Sequence, residues 1–291
     1  MARVYYVDVA IPADKKRRRK HKTHAVFDGG RVFGVKKLTE LEDAGEIYVD
    51  AMFPQIYEGL MELFKRNAKI FLLRNIGLLK RLRKESKVEK SDEADAKLLS
   101  KIPRRCFREL TLKEIKLLRL INDYEIYSEW KRIVKQWMSL HALNSFKECI
   151  RELQSLQRHY ACRIINEIKD DERYAMIYRL ACDMIGVRNS AEIAILIIRL
   201  PLNWKLSRLK GLLGLTPYRN KKYNHKLRLI LSRAAVAIYL NKKRLKRKPK
   251  IFEGIPAELP YRKIARMLEI RILRALKKAW QQSRYVLADG Q

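Results

Sequence analysis

Residues 4–10 read VYYVDVA, and the whole N-terminal third of the chain is interpreted outward from them. β-Branched and aromatic side chains dominate the stretch, which favours a strand. Asp8 is out of place. It puts a carboxylate inside an apolar strand, where an unpaired charge is costly to bury, so it calls for a partner or a metal ion. The pattern returns in IYVDAM, residues 47–52, with Asp50. Between them, Thr23–Phe27 and Val32–Val35 flank DGGR, a strong hairpin signal. Pro54 opens a helix with Ile56, Leu60, Leu63 and Phe64 on one face. Lys69–Leu73 is a further strand. A strand, a hairpin, then alternating strand and helix predict a mixed sheet with helices packed on it.

KVEKSDEADAKLLSKIP, residues 87–103, contributes two more acids. Ser91 is a good helix N-cap, and Asp92 and Glu93 suit the first turn of the helix it starts. Asp95 is less well explained by capping. Residues three apart on a helix share a face, about 5–6 Å apart, and two carboxylates there can share a hard cation such as Mg²⁺. Asp8, Asp50, Asp92 and Asp95 together could hold two metal ions, an arrangement that serves in-line displacement at phosphorus. The alternative is four unrelated surface acids.

The charge balance names the partner class. The chain carries 65 Lys+Arg against 32 Asp+Glu, a formal net charge of +33. A field that positive recruits polyanions. Hydrophobic residues make up 47%, so the chain builds real cores and is no disordered tail. The purest apolar run, Ile193–Ile198, is far short of the ~18 residues of a membrane span, and the N-terminus lacks a signal layout. Nucleic acid is therefore expected as partner, with no membrane. Cys106, Cys149, Cys162 and Cys182 show no C-x-x-C spacing. They are expected as reduced, buried thiols of a cytoplasmic protein. The five histidines have no ligand spacing.

Two runs concentrate the positive charge. Residues 14–22 contain Lys15, Lys16, Arg17, Arg18, Arg19 and Lys20, and residues 242–250 contain Lys242, Lys243, Arg244, Lys246, Arg247 and Lys248. Like charges packed together repel and favour a phosphate-backbone partner. Neither run holds a base-reading motif.

After Pro103 the pattern turns helical. Thr111 and Glu114 form a capping box, followed by Ile115, Leu118, Ile121, Tyr124, Tyr127, Trp130, Val134, Trp137 and Leu140. Asn144–Ser145 breaks this run, and a second holds Phe146, Ile150, Leu153, Leu156, Tyr160, Ile164 and Ile168. Two long helices in sequence predict an antiparallel hairpin or coiled coil, its Trp and Tyr residues read as core. From Glu172 on, compact helices follow. Gly186 with a helix capped by Asn189 and Glu192 reads as a helix-hairpin-helix or an ordinary tight turn, and Leu227–Leu240 and Tyr261–Tyr285 are further helices. The expected domains are 1–103 (α/β), 104–171 (helical arm) and 172–291 (all-α).

The ordered set YYVDVA, a second strand acid, SDEADAKLL, a helical arm, and LLGLTPYRN followed by HKLRLILSRAA resembles the DEDD transposases of insertion-sequence family 110 over nearly the whole chain. SDEADAKLL is similar to that family's T-D-x-x-D-A segment. The resemblance implies an N-terminal RuvC-like (RNase H-like) nuclease domain, a coiled-coil arm and a C-terminal transposase domain with helix-hairpin-helix character. It implies a mobile-element protein that recombines DNA as a dimer or tetramer, with Mg²⁺ or Mn²⁺ and a structured guide RNA as cofactor and partner. Asp8, Asp50, Asp92 and Asp95 would be its metal carboxylates. Two departures stand out. The second acid is normally Glu, making Glu46 a less favoured substitute for Asp50. The family's nucleophilic serine after G-L-x-P has no counterpart: Ser207 and Ser232 do not match, and Tyr218 and Tyr223 are hydroxyls in that region. The other reading is a captured, inactive DNA- or RNA-binding architectural protein.

Overall fold

The computed structural model describes residues 3–10, 22–141, 146–216, 223–241, 250–256 and 258–288. The chain forms two compact units that divide between Asn122 and Asp123. The first is α/β, and the second is built of helices.

The first unit contains β1 (Arg3–Asp8), β2 (His24–Phe27), β3 (Val32–Val35), β4 (Ala44–Val49), α1 (Tyr57–Lys65), β5 (Lys69–Leu73), α2 (Ile76–Glu85), α3 (Asp92–Ser100), β6 (Phe107–Glu109) and the start of α4 (Leu112–His141). Its mixed sheet runs β3-β2-β1-β4-β5-β6. β1, β4 and β5 are mutually parallel, while β2, β3 and β6 run antiparallel to their neighbours. The chain leaves β1 through the β2–β3 hairpin on one side and returns as β4 on the other. The hairpin turns as expected: Gly29 takes a φ of +95°, and Asp28 accepts hydrogen bonds from the N–H groups of Gly30 and Arg31.

Alternation along the strands sorts the two faces. Val7, Ile47, Val49 and Ile70 pack with Leu60 and Leu63 of α1. On the opposite face, Tyr48, Phe71 and Leu73 pack with Leu79 of α2 and Leu98 and Leu99 of α3. Tyr6 stacks on Tyr48 (ring centroids 5.1 Å) and Tyr48 on Phe71 (4.7 Å). Asp8, two residues beyond Tyr6, shares this second face.

The structure corrects several details. The second acidic strand spans 44–49 rather than 47–52, so Asp50 lies just past its end. The Asp50 N–H still donates to Val7 O, and its carboxylate accepts from the Val9 N–H at 2.8 Å, so a side chain extends the ladder where β4 stops. Strands do not end at Pro103: β6 pairs with β5, and its three residues are too few to show a period. Helix α2 was not expected either. Asn75 caps it, and its basic run Lys80–Lys84 obscures the apolar face.

In the second unit, α4 continues into α5 (Lys147–Lys169), α6 (Ala175–Ile185), α7 (Ala191–Arg199), α8 (Leu206–Leu212), α9 (His225–Asn241) and α10 (Tyr261–Ala288). Helices α4 and α5 pack antiparallel: Tyr127 stacks on Tyr160 at 5.2 Å, and Gln157 donates to Ser128 at 2.8 Å. Trp130 and Trp137, read as core, are 53% and 56% exposed, because the α5-facing stripe of α4 passes through Tyr127, Ser128 and Lys131 instead. The cap of α7 is Ser190, accepting from the Ile193 N–H, not Asn189, because the Tyr178 hydroxyl accepts from the Ser190 N–H and fixes that residue as the last extended one. Of the four free cysteines only Cys182 is buried, and Cys162 is exposed. The break at Asn144–Ser145 lies outside the described residues. Among those described, no helix is long and apolar enough to cross a membrane.

Candidate metal centre

In an open α/β sheet, ligands bind at the carboxyl ends of the strands where the strand order reverses. Here that point lies between β1 and β4. Asp8 is the last residue of β1, and Asp50 follows the last residue of the parallel neighbour β4. Helix α3 packs on the sheet with its N-terminus at the same edge. Ser91 caps it, accepting from the Ala94 N–H at 3.0 Å, and Asp92 and Asp95 lie in its first turn. All four aspartates line one cavity of about 620 Å³. Glu46 is not among its walls: it binds Arg104 at 3.0 Å and accepts from the Tyr48 hydroxyl at 2.7 Å.

The electrostatics divide the four acids. Burial, together with the charges of Asp50, Asp95 and Asp92, pushes Asp8 up to about 8. Burial likewise raises Asp50, to about 6, although N–H donors including Val9 pull the other way. The neighbouring charge of Asp50 adds to burial in raising Asp8, so the two carboxyls compete to be ionised. Burial also raises Asp95, against the pull of Arg83. Asp92 forms a 3.1 Å ion pair with Lys22 that is largely exposed and therefore weak. Asp95 Oδ1 meets Arg83 Nε at 2.8 Å. Both atoms are buried, in charge contact but without hydrogen-bond alignment.

Among the described residues, no three His, Cys, Asp or Glu side chains already stand in position to hold one ion. The Asp8–Asp50 pair nonetheless fits a divalent cation. Its donors are hard oxygens of the kind Mg²⁺ and Mn²⁺ take, and two like charges this close require a proton or a cation between them. Asp92 can join them at the cost of a solvent-exposed pair.

The cavity also holds Lys22, Lys80, Arg83 and Lys90. The last three were not singled out from sequence. The available signal was Lys80 and Arg83 one helical turn apart, just before the acidic segment. Lys15, Lys16, Arg17, Arg18, Arg19 and Lys20, and Lys242, Lys243, Arg244, Lys246, Arg247 and Lys248, lie outside the described residues, as does Tyr218. Tyr223 packs its ring over Gly214, whose φ is +63° and where an added Cβ would come within 2.9 Å of that ring. Ser232 donates to Glu269 at 2.5 Å, and Glu269 also binds Arg228 at 2.6 Å. In comparisons with known proteins, no family model matches the chain and no curated protein is similar to it.

Proposed function

We propose that the chain is a metal-dependent, nucleic-acid-processing enzyme that cuts or transfers DNA phosphodiesters from a RuvC-like, RNase H-like domain, as a diverged DEDD transposase would. One observation carries this reading: four aspartates from β1, the end of β4 and the first turn of α3 line a single cavity at the strand-order reversal. Asp8, Asp50 and Asp92 would hold Mg²⁺ or Mn²⁺, which when bound supplies Lewis acidity at phosphorus and an acidified water. The protein's own groups bring the substrate there. Lys80 and Lys90 in the cavity wall attract a phosphate, and the basic runs at 14–22 and 242–250 engage the flanking backbone.

The test incubates the protein with linear and branched DNA and Mg²⁺ or Mn²⁺. The expected result is nicked product, lost in Asp92→Ala, with no protein-linked DNA. Ser232 is held by Glu269, and no serine lies between Gly214 and Ser232, so an adduct would show a different nucleophile. DNA affinity should fall steeply with salt, with a log–log slope of several units if ~6–10 phosphates are contacted. Neutralising Lys242, Lys243, Arg244, Arg247 and Lys248 together should flatten it. A second reading, a captured binding protein without catalysis, is favoured by the two ion pairs that already engage Asp92 and Asp95. Tight binding with no cleavage of any substrate is its signature. A structured guide RNA would compete for the same basic runs.

The arm supplies a surface for self-association. Ile126, Trp130, Ile133, Trp137 and Leu140 recur in alternating steps of four and three residues, a coiled-coil seam on the α4 face turned away from α5. Two exposed tryptophans and a leucine offer a patch of several hundred Å², about what one partner contributes to a modest interface. The seam's own sequence makes a second copy of this chain the fitting occupant, as a dimer or a pair of dimers.

A further inference from the structure

The four aspartates are not equivalent, and the difference bears on how many ions the site takes. Asp95 is the most enclosed of them, its side chain 8% exposed, and it faces the 16%-exposed side chain of Arg83 from the neighbouring helix α2. This pair differs from the Lys22–Asp92 pair, which solvent screens and an incoming cation can displace. A buried ion pair broken on one side leaves an uncompensated charge out of water, so Asp95 does not leave Arg83 readily. Drawing Asp95 to a divalent ion would also strand the guanidinium close to that ion, with repulsion in place of attraction.

Charge counting points the same way. The four aspartates share the cavity with Lys22, Lys80, Arg83 and Lys90, so the ionised walls sum to zero. One divalent cation leaves the site doubly positive, suited to a phosphodiester and the negative charge that grows at phosphorus in the transition state. Two would leave it with four positive charges in a cavity of about 620 Å³.

We infer that this is a one-ion site, in which Asp8, Asp50 and Asp92 receive the metal and Arg83, held by Asp95, takes the place of a second cation. This rests on the metal-dependent reading above. Arg83 is a fixed fork of N–H donors on the cavity wall, the kind of group that binds phosphate oxygens. Asp95 is then a positioning residue for Arg83 rather than a metal ligand.

The experiment titrates full-length protein with Mn²⁺ alone, following stoichiometry by calorimetry and metal–metal coupling by electron paramagnetic resonance. Wild type is expected to bind a single Mn²⁺ per chain with no coupling between ions. Asp95→Asn should keep that stoichiometry. Arg83→Lys should keep it too, since the charge remains. Arg83→Gln frees Asp95 and should admit a second, weaker ion with a coupled signal. Two ions in wild type, or loss of the single ion in Asp95→Asn, would overturn the inference and leave metal dependence standing. No Mn²⁺ binding by wild type at any pH from 6 to 9 would overturn both. Wild type and Asp95→Asn decide the matter even if Arg83→Gln does not fold.

Discussion

Two carboxylate sites in this protein, one on each unit, differ in how their acids are partnered. In the helical unit, Glu269 on α10 is buried and fully engaged: Arg228 binds one oxygen at 2.6 Å and Ser232 donates to the other at 2.5 Å, both from α9. Nothing about Glu269 calls for a ligand. In the α/β unit, Asp8 faces Asp50, with Asp92 and Asp95 nearby, and burial and like charge together hold its proton on to about 8. Burial of an acid is thus no sign of chemistry by itself. Two like charges set side by side, with the cavity's ion pairs made to Asp92 and Asp95 instead, are such a sign, because the fold tolerates their repulsion for something other than stability.

The largest effect that could break this contrast is catalytic. Asp8→Asn or Asp50→Asn should cut Mg²⁺-dependent cleavage by ~10²–10³-fold or more, yet leave the metal-free melting temperature unchanged or raised, since a repulsion is relieved. A variant that loses stability and keeps cleavage would make Asp8 another Glu269. Next in size is the opposite case. Glu269→Ala should cost about 3 kcal/mol in urea unfolding, because Arg228, only partly exposed, is left unpaired. Replacing both as Arg228→Met with Glu269→Leu should recover most of that loss.

Third comes a pH slope. The ordinary value for an aspartate is 3.8, and Asp8 is raised to about 8, so between these values the native state holds a proton that the unfolded chain has released. Stability of the metal-free protein should therefore fall as pH rises through this window, by of the order of 1 kcal/mol or more. Asp8→Asn should flatten that fall, and Mg²⁺ should offset it at pH 8. Glu269→Gln should leave the slope in place. The smallest expected effect on folding lies on the α4 seam. Trp130→Glu with Trp137→Glu should change unfolding free energy by only about 0.5 kcal/mol, as exposed substitutions do. The mass measured by sedimentation should nonetheless fall to that of one chain; an unchanged mass would put self-association elsewhere.

The sequence carried the strands, the hairpin and the acids because each is a local signal. VYYVDVA sets β-branched and aromatic residues side by side within seven positions, DGGR states its turn, and Ser91 names the start of α3. It did not carry α2 or β6, where a basic run masks the apolar face and three residues are too few for a pattern. Nor did it separate Trp130 from Tyr127, three residues apart on one helix. Which stripe of a helix is inside depends on where α5 lies, and here α5 takes Tyr127.

The candidate site divides along the same line. The identities of Asp8, Asp50, Asp92 and Asp95 were legible, since an acid in an apolar strand and a pair one helical turn apart are local anomalies. That they share a cavity was decided by tertiary structure: by the parallel pairing of β1 with β4 and the packing of α3 on the sheet. Arg83 was invisible for the same reason. Its meaning lies in the 2.8 Å contact with Asp95, twelve residues away on another helix, and only packing determines such a contact.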